Sequence, residues 1–237
     1  MSAAATFALA ATACAQSVII EPELTAAPTV PIAPLTSNPA LREHPLYGGE
    51  AVVRDPSLIP PPESPIDFKI NVVAKTDIPP RFRKQLVAFD GLESPGTIVV
   101  DPQSRFLYFV LENGQAMRYG VGVGRAGFAW SGEAVVQLKR RWPRWLPPEE
   151  MVFRDDKAKT WANGMPGGPN NPLGARALYL YANGADTLFR IHGTNDPSSI
   201  GKAMSSGCIR MLNEDVAELF ERVAKGTPVI VRSGTRS

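Results

Sequence analysis

Two cysteines and two histidines are the whole stock of thiol and imidazole in this 237-residue chain. One of each sits in a glycine-flanked turn: Ile191-His192-Gly193-Thr194-Asn195 and Ser205-Ser206-Gly207-Cys208-Ile209-Arg210-Met211. The other two, Cys14 and His44, lie in the first part of the chain. A thiol is a weak nucleophile until it is deprotonated, and a neighbouring imidazole supplies both a base and a counter-charge. The pattern therefore predicts Cys208 as a nucleophile and His192 as its general acid and base. Gly207 lets the backbone approach a substrate closely. Amide N–H groups around Ser206, Gly207 and Cys208 can then converge on a developing oxyanion. Either the Gly193 carbonyl or Ser205 is expected to orient the imidazole, because neither motif contains a carboxylate. Taken singly, each residue has a plainer account, a buried thiol being a small hydrophobe. Their joint isolation in one domain, each beside glycine, favours chemistry. One His and one Cys leave a tetrahedral metal to find two more ligands in Asp186 or Asp196 without paired spacing, so neither metal nor cofactor is expected.

The elements that must aim these residues are mostly strands. Thr97 to Asp101 is β-branched and follows Pro95-Gly96. Arg105 to Leu111 and Gln115 to Val123 flank Asn113-Gly114, a hairpin signal. Glu133 to Leu138, Arg176 to Tyr181 and Thr187 to His192 add strands, and Thr227 to Arg232 closes the domain. Ile78 to Phe89, entered through Pro79-Pro80, reads as a short helix. One longer helix is expected from Asn213 as N-cap, with Val216, Leu219, Phe220 and Val223 on one face and Gly226 as its stop. Between Trp142 and Gly174 lies a long proline-rich stretch holding Trp142, Trp145 and Trp161. It is either a lid over a site or a wrapped structural loop. The expected fold is mainly β, a β-sandwich or mixed sheet, with this lid-like loop and one C-terminal helix.

Of 23 prolines, 11 precede Asp67, so the chain has two kinds of material. Residues 1–15 read as a signal segment with Ala13-Cys14-Ala15 as a small-x-small cleavage site, lipid attachment at Cys14 being the alternative. Residues 16–67 read as a disordered proline-rich tether. Residues 68–94 lead into a catalytic domain at 95–233. A net charge of +2 argues against a nucleic-acid partner, which would need a concentrated basic face.

His192-Gly193-Thr194 followed by Ser205-Ser206-Gly207-Cys208-Ile209-Arg210-Met211 resembles the paired signature of the YkuD family of L,D-transpeptidases. Pro95 to Asp101 looks like that domain's opening strand, and Asn171-Pro172-Leu173-Gly174 like the segment before its penultimate strands. The resemblance covers about Ser94 to Val231. Where the family often has Ser-His-Gly-Cys, this chain has Ser206, the form common in alphaproteobacterial members, so no role for a second histidine carries over. The resemblance implies peptidoglycan stem peptides as substrate. Cys208 would attack the carbonyl at the L-centre of the third-position diamino acid, a thioester would form, and a second stem would take the acyl group in a 3-3 cross-link. It also implies acylation by carbapenem β-lactams, a periplasmic location and a part in cell-wall biogenesis and cell shape. Alternative acceptors are an amine of an outer-membrane protein or lipoprotein, which would make an anchoring enzyme, and water, which would make an L,D-carboxypeptidase. A wall-binding module without activity is the remaining reading. Arg210, with Ser205 beside it, is expected to meet substrate; Arg210 would either hold a carboxylate or brace the turn. Tyr179, Tyr181 and Arg190 alternate with core residues, so one of them is expected to face the cleft.

Overall fold

The computed structural model describes residues 63–125, 130–205 and 207–233. The signal segment, Cys14, His44, most of the tether and Ser206 lie outside the described residues.

Short β-branched and aromatic runs give the strands. β1 is Gln85–Ala88, β2 Ile98–Asp101, β3 Phe106–Leu111, β4 Gln115–Gly120 and β5 Val123–Gly124. β6 is Gly132–Arg141, β7 Arg176–Ala182, β8 Ala185–His192, β9 Ala203–Ser205, β10 Ile209–Arg210 and β11 Pro228–Val231. Nine of them form one mixed sheet in the order β1-β4-β3-β2-β11-β6-β7-β8-β10, while β5 and β9 form a separate parallel pair. Only β2–β11 and β8–β10 are parallel in the large sheet. Asn113 and Gly114 both take positive φ (59° and 64°), the two-residue turn that suits a twisted hairpin.

Ile78 to Phe89 is not the short helix expected. A single 3-10 turn at Pro80–Phe82 follows the two prolines, and the chain then enters β1. Residues 85–88 carry no helical apolar stripe, and the open edge of β4 satisfies their backbone groups in antiparallel register, Gln85 opposite Arg118 and Ala88 opposite Gln115.

Three α-helices occur among the described residues: α1 Glu149–Arg154, α2 Asp156–Thr160 and α3 Asn213–Arg222. The first two break up the stretch expected to be irregular. On α3, Val216, Leu219 and Phe220 are buried as the sequence periodicity predicts, followed by Val223 at its end. Each such side chain contributes roughly 1.5–3 kcal/mol by leaving water.

The ends of the Trp142–Gly174 loop are wrapped into the domain. Asn171 is fully buried and donates to the carbonyls of Pro143, Met165 and Pro166, while its Oδ1 accepts from the Leu173 amide at 2.8 Å. Trp142 is buried, its indole N–H bonded to Asp67 at 2.9 Å and its ring edge-on to Phe68. Phe153 and Trp161 face outward from the middle of the loop.

The last residues of the expected tether pack on the sheet. Glu63 accepts from the Arg141 amide, and Asp67 takes both guanidinium nitrogens of Arg176 at 3.0 and 3.2 Å. Burial pushes the Asp67 carboxyl up, but Arg176, Trp142 and Arg141 outweigh it and hold the group below its usual range. A chain cut at Lys69 would therefore leave Arg176, itself buried, without its carboxylate.

Candidate active site

Strand register collects the site. Across β7 and β8, Ala177 stands opposite His192 and Tyr179 opposite Arg190. Across β8 and β10, Ile191 stands beside Ile209 and His192 beside Arg210. Side chains alternate between faces along a strand. Leu178, Ile191 and Ile209 therefore point into the main core, where all three are buried. Tyr179, Arg190, His192 and Arg210 share the other face. Cys208 precedes β10 by one residue, and the alternation places it on that face beside Arg190.

His192 closes β8 and is 4% exposed, with Nδ1 2.6 Å from the Gly193 carbonyl. A carbonyl can only accept, so Nδ1 carries the hydrogen and Nε2 is left as the basic nitrogen. Of the two groups expected to orient the ring, it is Gly193 that does so. Burial, then the charges of Arg210 and Arg190, push the imidazole down to about 3, against the pull of the Gly193 and Leu173 carbonyls. The ring is neutral at physiological pH. It is not the standing counter-charge that the sequence suggested, because it has been taken out of water next to two guanidinium groups.

Ser205 braces the turn that carries Cys208. Its Oγ accepts from the Gly207 amide at 3.2 Å and donates to the Cys208 carbonyl at 2.6 Å. The Gly207 N–H, expected to serve an oxyanion, is thus engaged by Ser205. The Cys208 N–H meets no acceptor among the described residues. Gly207 takes φ of 116°, a backbone that favours glycine. Burial pushes the Cys208 thiol up, opposed by Arg190 and Arg210. The backbone of Arg210 exchanges hydrogen bonds with Gly122, and its guanidinium has no acidic partner among the described residues.

Sequence reasoning missed Asn213, which it read as an N-cap. Leu212 holds the cap position without a side-chain bond. Asn213 instead reaches sideways: Oδ1 accepts from the amides of Ala175 (2.9 Å) and Thr194 (3.2 Å), and Nδ2 donates to the Thr194 carbonyl (2.8 Å). A Cβ at Gly174 or Gly193 would collide with this amide, so both turns need glycine. These turns carry the Leu173 and Gly193 carbonyls that face the imidazole. An Asn after an apolar pair and before two acids looks like a cap in any sequence, so nothing local distinguishes this use. Asn213→Ala is expected to destabilise the protein by about 2–4 kcal/mol, because it strands buried backbone groups. Asn213→Asp, which keeps the acceptor, should lose less. Urea unfolding of the two variants against wild type measures both.

Among the described residues, a thiol and a neutral imidazole share one sheet face with an amide and a guanidinium that meet no acceptor or acid there, an arrangement chemically suited to thiol-dependent acyl transfer. The model of the L,D-transpeptidase catalytic domain, YkuD, matches residues 95–231. YbiS of Escherichia coli K12, named a probable L,D-transpeptidase, is 32% identical over 151 residues, 62% of this chain and 47% of that protein. YqjB of Bacillus subtilis, named a putative L,D-transpeptidase, is 33% identical over 142 residues, 59% of this chain and 73% of that one. The match to the Escherichia coli relative spans about half of that protein's length. Among solved structures, a chain from Brucella melitensis named a probable carnitine operon oxidoreductase is 51% identical, covering 67% of this chain and 98% of its own, with a TM-score of 0.46. The chain belongs to the YkuD family of L,D-transpeptidases.

Proposed function

We propose that this protein is a cysteine-dependent L,D-transpeptidase that joins peptidoglycan stem peptides in 3-3 cross-links. The register that sets Cys208, His192 and Arg210 on one face, with the imidazole basic at Nε2, carries this reading. His192 takes the thiol proton as Cys208 sulfur bonds to the carbonyl carbon of the third-position diamino acid. The Cys208 amide N–H holds the oxyanion. Collapse breaks the C–N bond, and the proton on His192 passes to the leaving terminal D-residue. A thioester remains. The amine of a second stem then attacks it, gives its proton to His192, and releases Cys208 as the new amide forms. Bond exchange of this kind needs no nucleotide, which suits the periplasm, where the substrate lies. The Arg210 guanidinium, without an acidic partner among the described residues, would hold a stem carboxylate.

Purified protein incubated with labelled stem tetrapeptides tests the assignment. A dimer joined between two diamino acids supports it. Release of the terminal D-residue without joined product would make the protein a hydrolase. Joined product only when an outer-membrane protein is supplied would make it an anchoring enzyme.

A further inference from the structure

On the same face as Cys208 lies a second ion pair for which the catalytic steps above have no use. The two nitrogens of the Arg190 guanidinium meet the two carboxylate oxygens of Asp186 at 2.6 and 2.7 Å. Both side chains are largely buried, at 13% and 17% exposure. The guanidinium also donates to the Phe189 carbonyl at 2.9 Å and lies 4.3 Å over the Tyr179 ring, which stands directly opposite in the ladder. A bulge makes this possible: the register slips between Tyr179 and Tyr181, Leu188 takes φ of 61°, and Asp186 accepts from the Leu188 amide. A buried, four-way fixed cation beside a nucleophile is a costly arrangement to hold for packing alone.

We propose that Arg190, clamped by Asp186 and seated on Tyr179, is a positioning residue that supplies the standing positive charge for the Cys208 thiolate, leaving His192 free to work as a neutral base. The inference rests on Cys208 being the nucleophile. Charge reaches the thiol from several elements. Arg190 and Asp186 of β8 and Arg210 of β10 act on it, His192 shares its sheet face, and Tyr179 and Tyr181 of β7, with Arg140 of β6, lie in the field of the Arg190–Asp186 pair. Burial pushes both tyrosines up, Tyr179 to about 12, so neither contributes charge at neutral pH. Among the groups that favour the thiolate, Arg190 comes first, acting through its charge and its backbone N–H, and Arg210 follows. Asp186 opposes them, so it trades part of the charge of Arg190 for a fixed position.

The test is the pH dependence of alkylation of Cys208 by iodoacetamide in the full chain, followed on the Cys208 peptide by mass so that Cys14 does not interfere. Arg190→Gln is expected to move the midpoint up by about one pH unit, a tenfold loss of thiolate near neutrality. Arg190→Lys should recover most of that shift. Asp186→Asn should move the midpoint down with the circular dichroism spectrum unchanged, since unfolding would also lower it by removing the burial that holds the thiol up. An unchanged midpoint in folded Arg190→Gln, or a midpoint unchanged or raised in Asp186→Asn, overturns the proposal. The nucleophile assignment is tested apart from this: if Cys208→Ala still transfers while the midpoints move as stated, the function falls and the electrostatic role of Arg190 stands.

Discussion

Cys208→Ala is expected to remove transfer completely while leaving the fold intact. The side chain sits at the rim of the sheet, half-buried, and Ser205 holds the turn through backbone groups that the substitution does not touch. No other cysteine lies among the described residues. Cys208→Ser should be nearly as inactive, because a single neutral imidazole does not overcome the higher pKa of an alcohol. A trapped intermediate gives the sharper readout. A carbapenem that fits the cleft should acylate the thiol, since opening a strained ring makes that step downhill and the bulky product then obstructs release. Intact-protein mass spectrometry should show one added drug mass in wild type and none in Cys208→Ala. Full transfer by the alanine variant, or an adduct that persists in it, would remove Cys208 from the mechanism.

His192→Ala should lower turnover by about 10²–10⁴, the usual range for loss of a general acid and base. Its thiol alkylation midpoint should move less than that of Arg190→Gln, because the ring is neutral in the resting site. A second consequence concerns acid stability. The imidazole is pushed from its ordinary value near 6.5 down to about 3 in the folded protein. Between those values the unfolded chain binds a proton that the folded chain refuses, so stability falls as pH drops from about 6.5 toward 3. Asp215, which burial pushes up to about 7, contributes in the opposite sense in that range, but equally in both proteins. His192→Ala should therefore lose less stability than wild type between pH 6.5 and 4. Parallel acid unfolding curves for the two proteins would show that the ring is not held neutral.

Cys208 and His192 were legible as the proposed catalytic pair because their types are scarce and glycine marks their turns. Most strands were legible for a related reason: β-branched runs, the Asn113-Gly114 turn and the period of α3 are local signals, and local backbone preference expresses them directly. The strand β1 was misread where the signal was weakest, since residues 85–88 take their structure from the edge of β4 rather than from any pattern of their own. The missing boundary of the folded unit has the same origin. Asp67 looks like the end of a polar tether until Arg176, 109 positions away, is brought to it.

Composition and motif spacing, acting alone, singled out the atoms proposed to react, the thiol of Cys208 and the imidazole of His192, and the mainly β character of the domain around them. Tertiary structure decided their electrical state and their supports. Burial neutralised His192, a bulge turned Asp186 onto Arg190, Ser205 claimed the Gly207 amide, and Asn213 left its helix cap to clamp two turns. Each of these depends on partners distant in sequence and on how far water is excluded. Neither quantity is written in a local run of residues, because the free energy of a charge or a hydrogen bond is set by its surroundings.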